Sequence, residues 1–137
     1  MAKYKVVVSD NRHGDYSIEA AVLKPVDAEV VIEDCSTVEE MIIACRDADG
    51  VLLDQAPMPA TVIENMTKCK VVSRYGVGYD NVDVEACTKK KIYVANVPDY
   101  CMEDVSDHAM ALFFSCVRRI GARFWSCDGR VAWGGWR

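Results

Sequence analysis

What the chain lacks narrows it first. Histidine is scarce: His13 and His108 are the only two, and neither has a partner at metal-ligand spacing. The seven cysteines (Cys35, Cys45, Cys69, Cys87, Cys101, Cys116 and Cys127) are odd in number, widely spaced and contain no C-x-x-C. A zinc site or a disulfide framework would look different, so reduced thiols in a cytoplasmic protein are expected, and no metal. No apolar run approaches the ~18 residues of a membrane span. Met1-Ala2-Lys3-Tyr4-Lys5 leads straight into a strand-like stretch, so no secretory signal is read. Positive charge is in deficit, with a formal net charge of −5. That argues against nucleic acid or an anionic membrane as partner. Internal repeats and low-complexity linkers are also missing.

What is present is an ordinary globular composition, 51% apolar and 27% charged over 137 residues, a length that fits one domain. Short apolar runs alternate with helical periodicity. Strands are expected at Tyr4 to Ser9, Glu29 to Ile32, Gly50 to Leu53, the run Val71-Val72 (stopping at Ser73-Arg74) and Ile92 to Asn96. A helix is expected from Asp15 to Leu23, with Ile18, Ala21 and Val22 on its apolar face and Pro25 closing it. A second follows the capping box Ser36 to Glu39, facing inward with Val38, Met41, Ile42 and Cys45. A third starts around Pro59 and buries Val62, Ile63 and Met66. A fourth runs from Asp83 to Lys90. Five strands too apolar to be half-exposed, separated by helices, predict an α/β fold: a flavodoxin-like parallel sheet of order 2-1-3-4-5 with helices on both faces. A long helix, Glu103 to Phe124, is apolar all round and expects cover on more than one side. Trp125, Trp133 and Trp136 follow it in a tail without periodicity.

Val71 to Asp83, VVSRYGVGYDNVD, is the centre of the chain. Gly76 and Gly78 let the backbone approach a ligand and turn N–H groups outward, at the strand end where open α/β sheets bind ligands. The alternative is a tight turn with no ligand. The stretch is not a dinucleotide fingerprint, because the third glycine of G-x-G-x-x-G would stand at Asn81. Arg74, just before the turn, suits a carboxylate or phosphate, or equally a salt bridge to an acidic neighbour. Asp54, in VLLDQAPMP, resembles the phosphoacceptor of receiver domains, with Asp10 as a second Mg²⁺ carboxylate. Asn11 stands where a receiver has a second acid, and no lysine precedes Pro98. Ser106-Asp107-His108 points to different helix faces and is no triad. Lys89-Lys90-Lys91 is read as a solvated helix end.

Three pieces together carry a resemblance: R-Y-G-V-G-x-D-N-x-D, V-A-N-V-P, and E-D-V-S-D-H-A-M-A-L. The chain, from Met1 to about Trp136, resembles the D-isomer-specific 2-hydroxyacid dehydrogenases, a family that includes D-3-phosphoglycerate dehydrogenase and the C-terminal binding proteins. The resemblance implies a substrate-binding domain over residues 1–101, an interdomain helix and tail over 102–137, and an NAD-binding Rossmann domain that is absent from this chain. It implies a substrate site of Arg74, Val77, Gly78, Asp54, Gln55 and Ala56. The amides of Val77 and Gly78 would cradle the carboxylate of a small 2-hydroxy or 2-keto acid. Val77 and Val105 would face the nicotinamide of NAD. The family's catalytic arginine, glutamate and histidine have no matching positions, and His108 is not that histidine. The chain alone is therefore expected to be inactive and to pair as a homodimer through its helix and tail. Two other readings are a receiver-like switch at Asp54 and a non-catalytic anion- or partner-binding module.

Overall fold

A computed structural model describes residues 2–121. Five strands form one parallel sheet: β1 (Tyr4–Val8), β2 (Ala28–Ile32), β3 (Gly50–Leu53), β4 (Val71–Arg74) and β5 (Tyr93–Ala95). Their order is β2-β1-β3-β4-β5, as the alternation predicts. Val7 pairs with Val31 and Val51, and Val51 with Val72, so these side chains share one face. The helices are α1 (Ser17–Leu23), α2 (Val38–Cys45), α3 (Ala60–Asn65), α4 (Val84–Lys89) and α5 (Met102–Val117). Right-handed crossovers send α1 to one face and α2, α3 and α4 to the other, because β1 to β2 runs opposite to every later step. The chain divides into two compact units, Met1–Tyr100 and Cys101–Arg137.

The dry core lies under α2, α3 and α4. Met41, Leu53, Met58, Val62 and Ile63 are fully buried there, with Val7, Val51 and Val72 from the sheet. The inward residues read from helical spacing in α2 and α3 are those found. The α1 face differs: α1 has no buried residue, and Ile18 and Val22 are exposed. Its apolar spacing marks a face that nothing in this unit covers. The two edge strands are also less buried than their sequences suggest, since Ile32 and Tyr93 are exposed; β1, β3 and β4 are the strands paired on both sides.

Three further local expectations shift. The capping box is Thr37 with Glu40, one residue on from Ser36 and Glu39: Thr37 is extended and accepts from the Glu40 N–H, while Glu40 accepts from Thr37. Ser36 still contributes, donating its N–H to the same Glu40 oxygen at 2.7 Å. Helix α1 ends at Leu23 as read, with Pro25 in a 3₁₀ turn, Lys24–Val26, directly after it, but starts at Ser17 and not at Asp15. Lys90 is exposed at the end of α4, as read, but it is also engaged. Its ammonium donates to the carbonyls of Ile63, Glu64 and Met66 at 3.2, 2.9 and 2.6 Å, closing the C-terminus of α3.

Taken by itself, α5 carries no buried residue. Val105, Met110, Leu112, Phe113, Phe114 and Val117 are all exposed, which matches a helix apolar on several sides. It ends earlier than Phe124: Arg118 caps it and Arg119 turns left-handed at φ 52°. Phe124, Trp125, Trp133 and Trp136 lie outside the described residues, as does Cys127. The six described cysteines are free thiols. Burial pushes Cys45 up to about 12 and Cys87 to about 11, so both stay protonated in the core. Among the described residues no helix is long and apolar enough to cross a membrane.

Candidate functional site

The sheet's carboxyl edge brings together the ends of β1, β3 and β4. Asp10, one residue past the buried Ser9, is itself buried. Its carboxylate accepts three backbone N–H groups from the loop after β3: Asp54 at 2.9 Å, Gln55 at 2.6 Å and Ala56 at 3.1 Å. Ser9 adds a hydroxyl donor at 3.0 Å. Burial pushes the Asp10 carboxyl up, but these four donors outweigh it and hold it below its ordinary value of 3.8. From the other side, Asn81 donates its amide to the carbonyls of Asp54 and Ala56 at 3.1 and 2.9 Å. The β3 loop is therefore held on both sides by protein groups.

The β4 loop is held differently. Gly76 and Val77 offer their carbonyls to Val97 N–H at 3.0 Å and to the Asn96 side chain at 2.7 Å. Among the described residues, no acceptor meets the N–H groups of Val77 or Gly78, and both residues are exposed. Gly76 has φ +112°, and a Cβ there would fall 2.0 Å from Arg74 Nη1. That position needs glycine for its conformation, and a side chain there would also displace the end of Arg74. Gly78 needs it for neither: its φ is not left-handed, and a Cβ would meet Asp80 Oδ2 at an ordinary 3.6 Å.

Arg74 lies across this turn. Its Nη2 is 3.7 Å from Asp54 Oδ1, with both side chains largely covered, at 19% and 15% exposure. That separation is a Coulomb contact without a hydrogen bond. The buried Nε has no hydrogen-bond partner. The acidic neighbour of the sequence reading is there, and it leaves the guanidinium under-satisfied. Arg74, Asp54, Gln55 and Gly76 line a cavity of about 430 Å³ together with His13, Tyr75, Val97 and Tyr100. The His13 ring stands edge-on to Tyr75 at 5.1 Å. Tyr75 donates its hydroxyl to Glu19 at 2.8 Å. Burial first, and then that carboxylate, push the Tyr75 phenol well above its ordinary value, so it stays neutral.

Of the site residues expected from sequence, Arg74, Asp54 and Gln55 share this cavity, and Val77 and Gly78 follow Gly76 on the exposed turn. Ala56 lies elsewhere, in a neighbouring cavity of about 490 Å³ with Asp10, Arg12 and Cys35. The reason is Asp10, which draws the Ala56 amide toward β1. Val105 belongs to α5, in the second unit. His13, Tyr75 and Tyr100 were missed. His13 sits in the polar turn after β1, and a parallel sheet puts every such turn at one edge; that signal was available. The receiver arrangement does not form. Asp10 has its oxygens engaged by N–H groups, and Asp54 faces a guanidinium, where a receiver needs both carboxylates on Mg²⁺.

Comparison with known proteins bears on the same pieces of sequence. The family model described as D-isomer specific 2-hydroxyacid dehydrogenase, catalytic domain, matches residues 6–130. The chain is 35% identical over 103 residues to a glyoxylate reductase of Pyrococcus furiosus, covering 69% of this chain and 30% of that protein. It is 39% identical over 118 residues to a D-3-phosphoglycerate dehydrogenase of Methanocaldococcus jannaschii, covering 85% of this chain and 22% of that protein. It therefore spans less than a third of the length of these curated relatives. Among solved structures it is similar to the NAD⁺-bound 3-phosphoglycerate dehydrogenase of Entamoeba histolytica, at 29% identity and a TM-score of 0.72, covering 83% of this chain and 39% of that one. With the family model spanning most of the sequence, and the glycine turn and Arg74 inside the match, the chain belongs to the D-isomer specific 2-hydroxyacid dehydrogenases, in their catalytic domain.

Proposed function

We propose that this chain is the substrate-binding part of an NAD-dependent oxidoreductase acting on the CH–OH group of small D-2-hydroxy acids. The observation that carries the reading is the β4 turn. Its Val77 and Gly78 amides lack protein acceptors among the described residues, beside a guanidinium that is under-satisfied. A short anion matches both, since outward N–H groups and an arginine are complementary to a carboxylate. Asp54 and Gln55 then form the wall of the cleft. Ala56 acts one step back, by fixing the loop to Asp10. No residue of this chain is assigned as catalytic.

The cofactor is assigned to another part of the enzyme. Asn81 stands where the third glycine of a dinucleotide fingerprint would be, and no G-x-G-x-x-G occurs in the 137 residues, so this chain does not fit the pyrophosphate of NAD. A separate Rossmann domain would supply that site, in keeping with the greater length of the relatives. Val77 and Val105 are the proposed contacts on the nicotinamide side. By itself the chain should give no NAD-dependent turnover of 2-hydroxy or 2-keto acids. Free thiols among the described residues support a cytoplasmic setting.

The carboxylate reading is tested by titrating the ¹⁵N-labelled chain with D-lactate and D-glycerate. Saturable shifts at the Val77 and Gly78 amides are expected; an unmoved turn overturns the reading. A homodimer through α5 and the tail is proposed from the exposed apolar side chains of α5, which usually find a partner when clustered. Sedimentation equilibrium checks it: a dimer lost on ending the chain at Arg123 is expected, and a monomer at tens of micromolar would refute it.

A further inference from the structure

We propose that Asp54 sets the charge of the substrate: the site takes acids with one carboxylate and a neutral or hydrogen-bond-donating tail, and disfavours acids whose tail carries a phosphate or second carboxylate. The inference rests on the proposed function, because it concerns the tail of a molecule whose carboxylate lies at the β4 turn. The charges of the cavity decide it. Among the described residues lining it, Arg74 carries the only fixed positive charge. One carboxylate at the Val77 and Gly78 amides, beside Arg74, uses that charge. What remains in the walls is the negative charge of Asp54, whose Oδ1 stands 3.7 Å from Arg74; outside the lining, the Glu19 carboxylate accepts from the Tyr75 hydroxyl at 2.8 Å. The next cation along the edge, Arg12, lines the neighbouring cavity, where Asp10 and Asp34 accompany it.

A second anionic group would therefore meet Asp54 without a cation of its own. Two like charges about 7 Å apart at a partly covered surface repel by enough to cost about tenfold in affinity. A hydroxyl or ammonium in the same place finds an acceptor instead. Asp54 is well placed to act as a filter, because its backbone is fixed: its N–H is held by Asp10 at 2.9 Å and its carbonyl by Asn81 at 3.1 Å. The carboxylate cannot swing away with the loop when an anion approaches.

The test compares D-glycerate with D-3-phosphoglycerate on the 137-residue chain at low, matched ionic strength, following the Val77 and Gly78 amides. The expected result is that D-glycerate binds about tenfold more tightly, or about 1.4 kcal/mol, and that Asp54→Asn brings the two within about threefold. The preference should also shrink in ~0.5 M salt, which screens charge over a few ångströms; this arm needs no variant. Equal or tighter binding of the phosphorylated acid overturns the inference while leaving the proposed function standing. So does a preference that neither Asp54→Asn nor salt alters. If neither acid moves the two amides, the proposed function fails and the inference with it.

Discussion

Two loops leave adjacent strands at one edge of the sheet and present opposite sides of the peptide group. After β3, residues Asp54 to Ala56 turn their N–H groups inward to Asp10, and two of their carbonyls to Asn81. After β4, Gly76 and Val77 turn their carbonyls inward, to Val97 and Asn96, and leave the following amides facing out. The first loop is saturated and acts as a strut. The second is rigid on one side and unsatisfied on the other, which is what an anion receptor requires: the donors are aligned before the ligand arrives, so binding does not have to order them. The proposed ligand chemistry is thus concentrated in one loop, because the other is occupied with holding the edge together.

The largest expected effect tests the strut. Asp10→Ala leaves three N–H groups without their acceptor and should cost about 3 kcal/mol in urea denaturation at neutral pH. Amide exchange should show the same contrast, with Asp54 to Ala56 protected and Val77 and Gly78 exchanging fast. The sign of the pH dependence follows from the carboxyl being held below 3.8 in the fold. The unfolded chain then binds the proton more readily. The stabilisation is fully present above pH 3.8 and is lost as pH falls through the lower, folded value. Wild type should lose stability more steeply than Asp10→Ala below about pH 4. A variant costing under about 1 kcal/mol, or parallel acid limbs for the two proteins, would break the comparison.

This contrast was only half legible in the sequence. The sheet order and the buried faces of α2 and α3 follow from local patterns: runs such as Val6-Val7-Val8 and the spacing of Met41 and Cys45 carry their own periodicity. The β4 turn is visible for the same reason, since its two glycines, Gly76 and Gly78, stand one residue apart. The strut is not. Asp10 and Ala56 are 46 residues apart, and only the packing of β1 beside β3 brings them together. Asp10 therefore read as a candidate metal ligand. The same limit hid which acid Arg74 pairs with, the role of Lys90 under α3, and the bare face of α1, whose spacing says apolar but cannot say uncovered. The capping box slipped by one residue because Ser36 and Thr37 both satisfy the pattern, and only backbone geometry chooses.

A smaller effect sharpens the comparison within the receptor loop. Gly76→Ala places a Cβ at a left-handed φ of +112° and 2.0 Å from Arg74 Nη1. Arg74 must move, and the backbone strain alone is worth about 1–3 kcal/mol. The expected outcome is a loss of about 2 kcal/mol in stability together with the loss of 2-hydroxy acid binding. Those two losses do not separate structure from function at this position.

Gly78→Ala separates them, and its effect on stability should be the smallest. The backbone there suits any residue, and the added Cβ meets only Asp80 Oδ2 at 3.6 Å. Stability should change by less than about 0.5 kcal/mol. Binding should respond differently. A carboxylate seated on the Val77 and Gly78 amides approaches the backbone closely, and a methyl group beside those donors takes up the space it needs. We therefore expect the chemical-shift response to D-glycerate to weaken at least several-fold in a protein whose urea midpoint matches wild type. A stable Gly78→Ala variant that binds D-glycerate as well as wild type would show that the turn's outward amides are not where the carboxylate sits. The strut and the receptor would then differ in geometry alone. A weakened ligand response with an unchanged midpoint ties the second glycine to the ligand, because the fold itself makes no demand for glycine at that position.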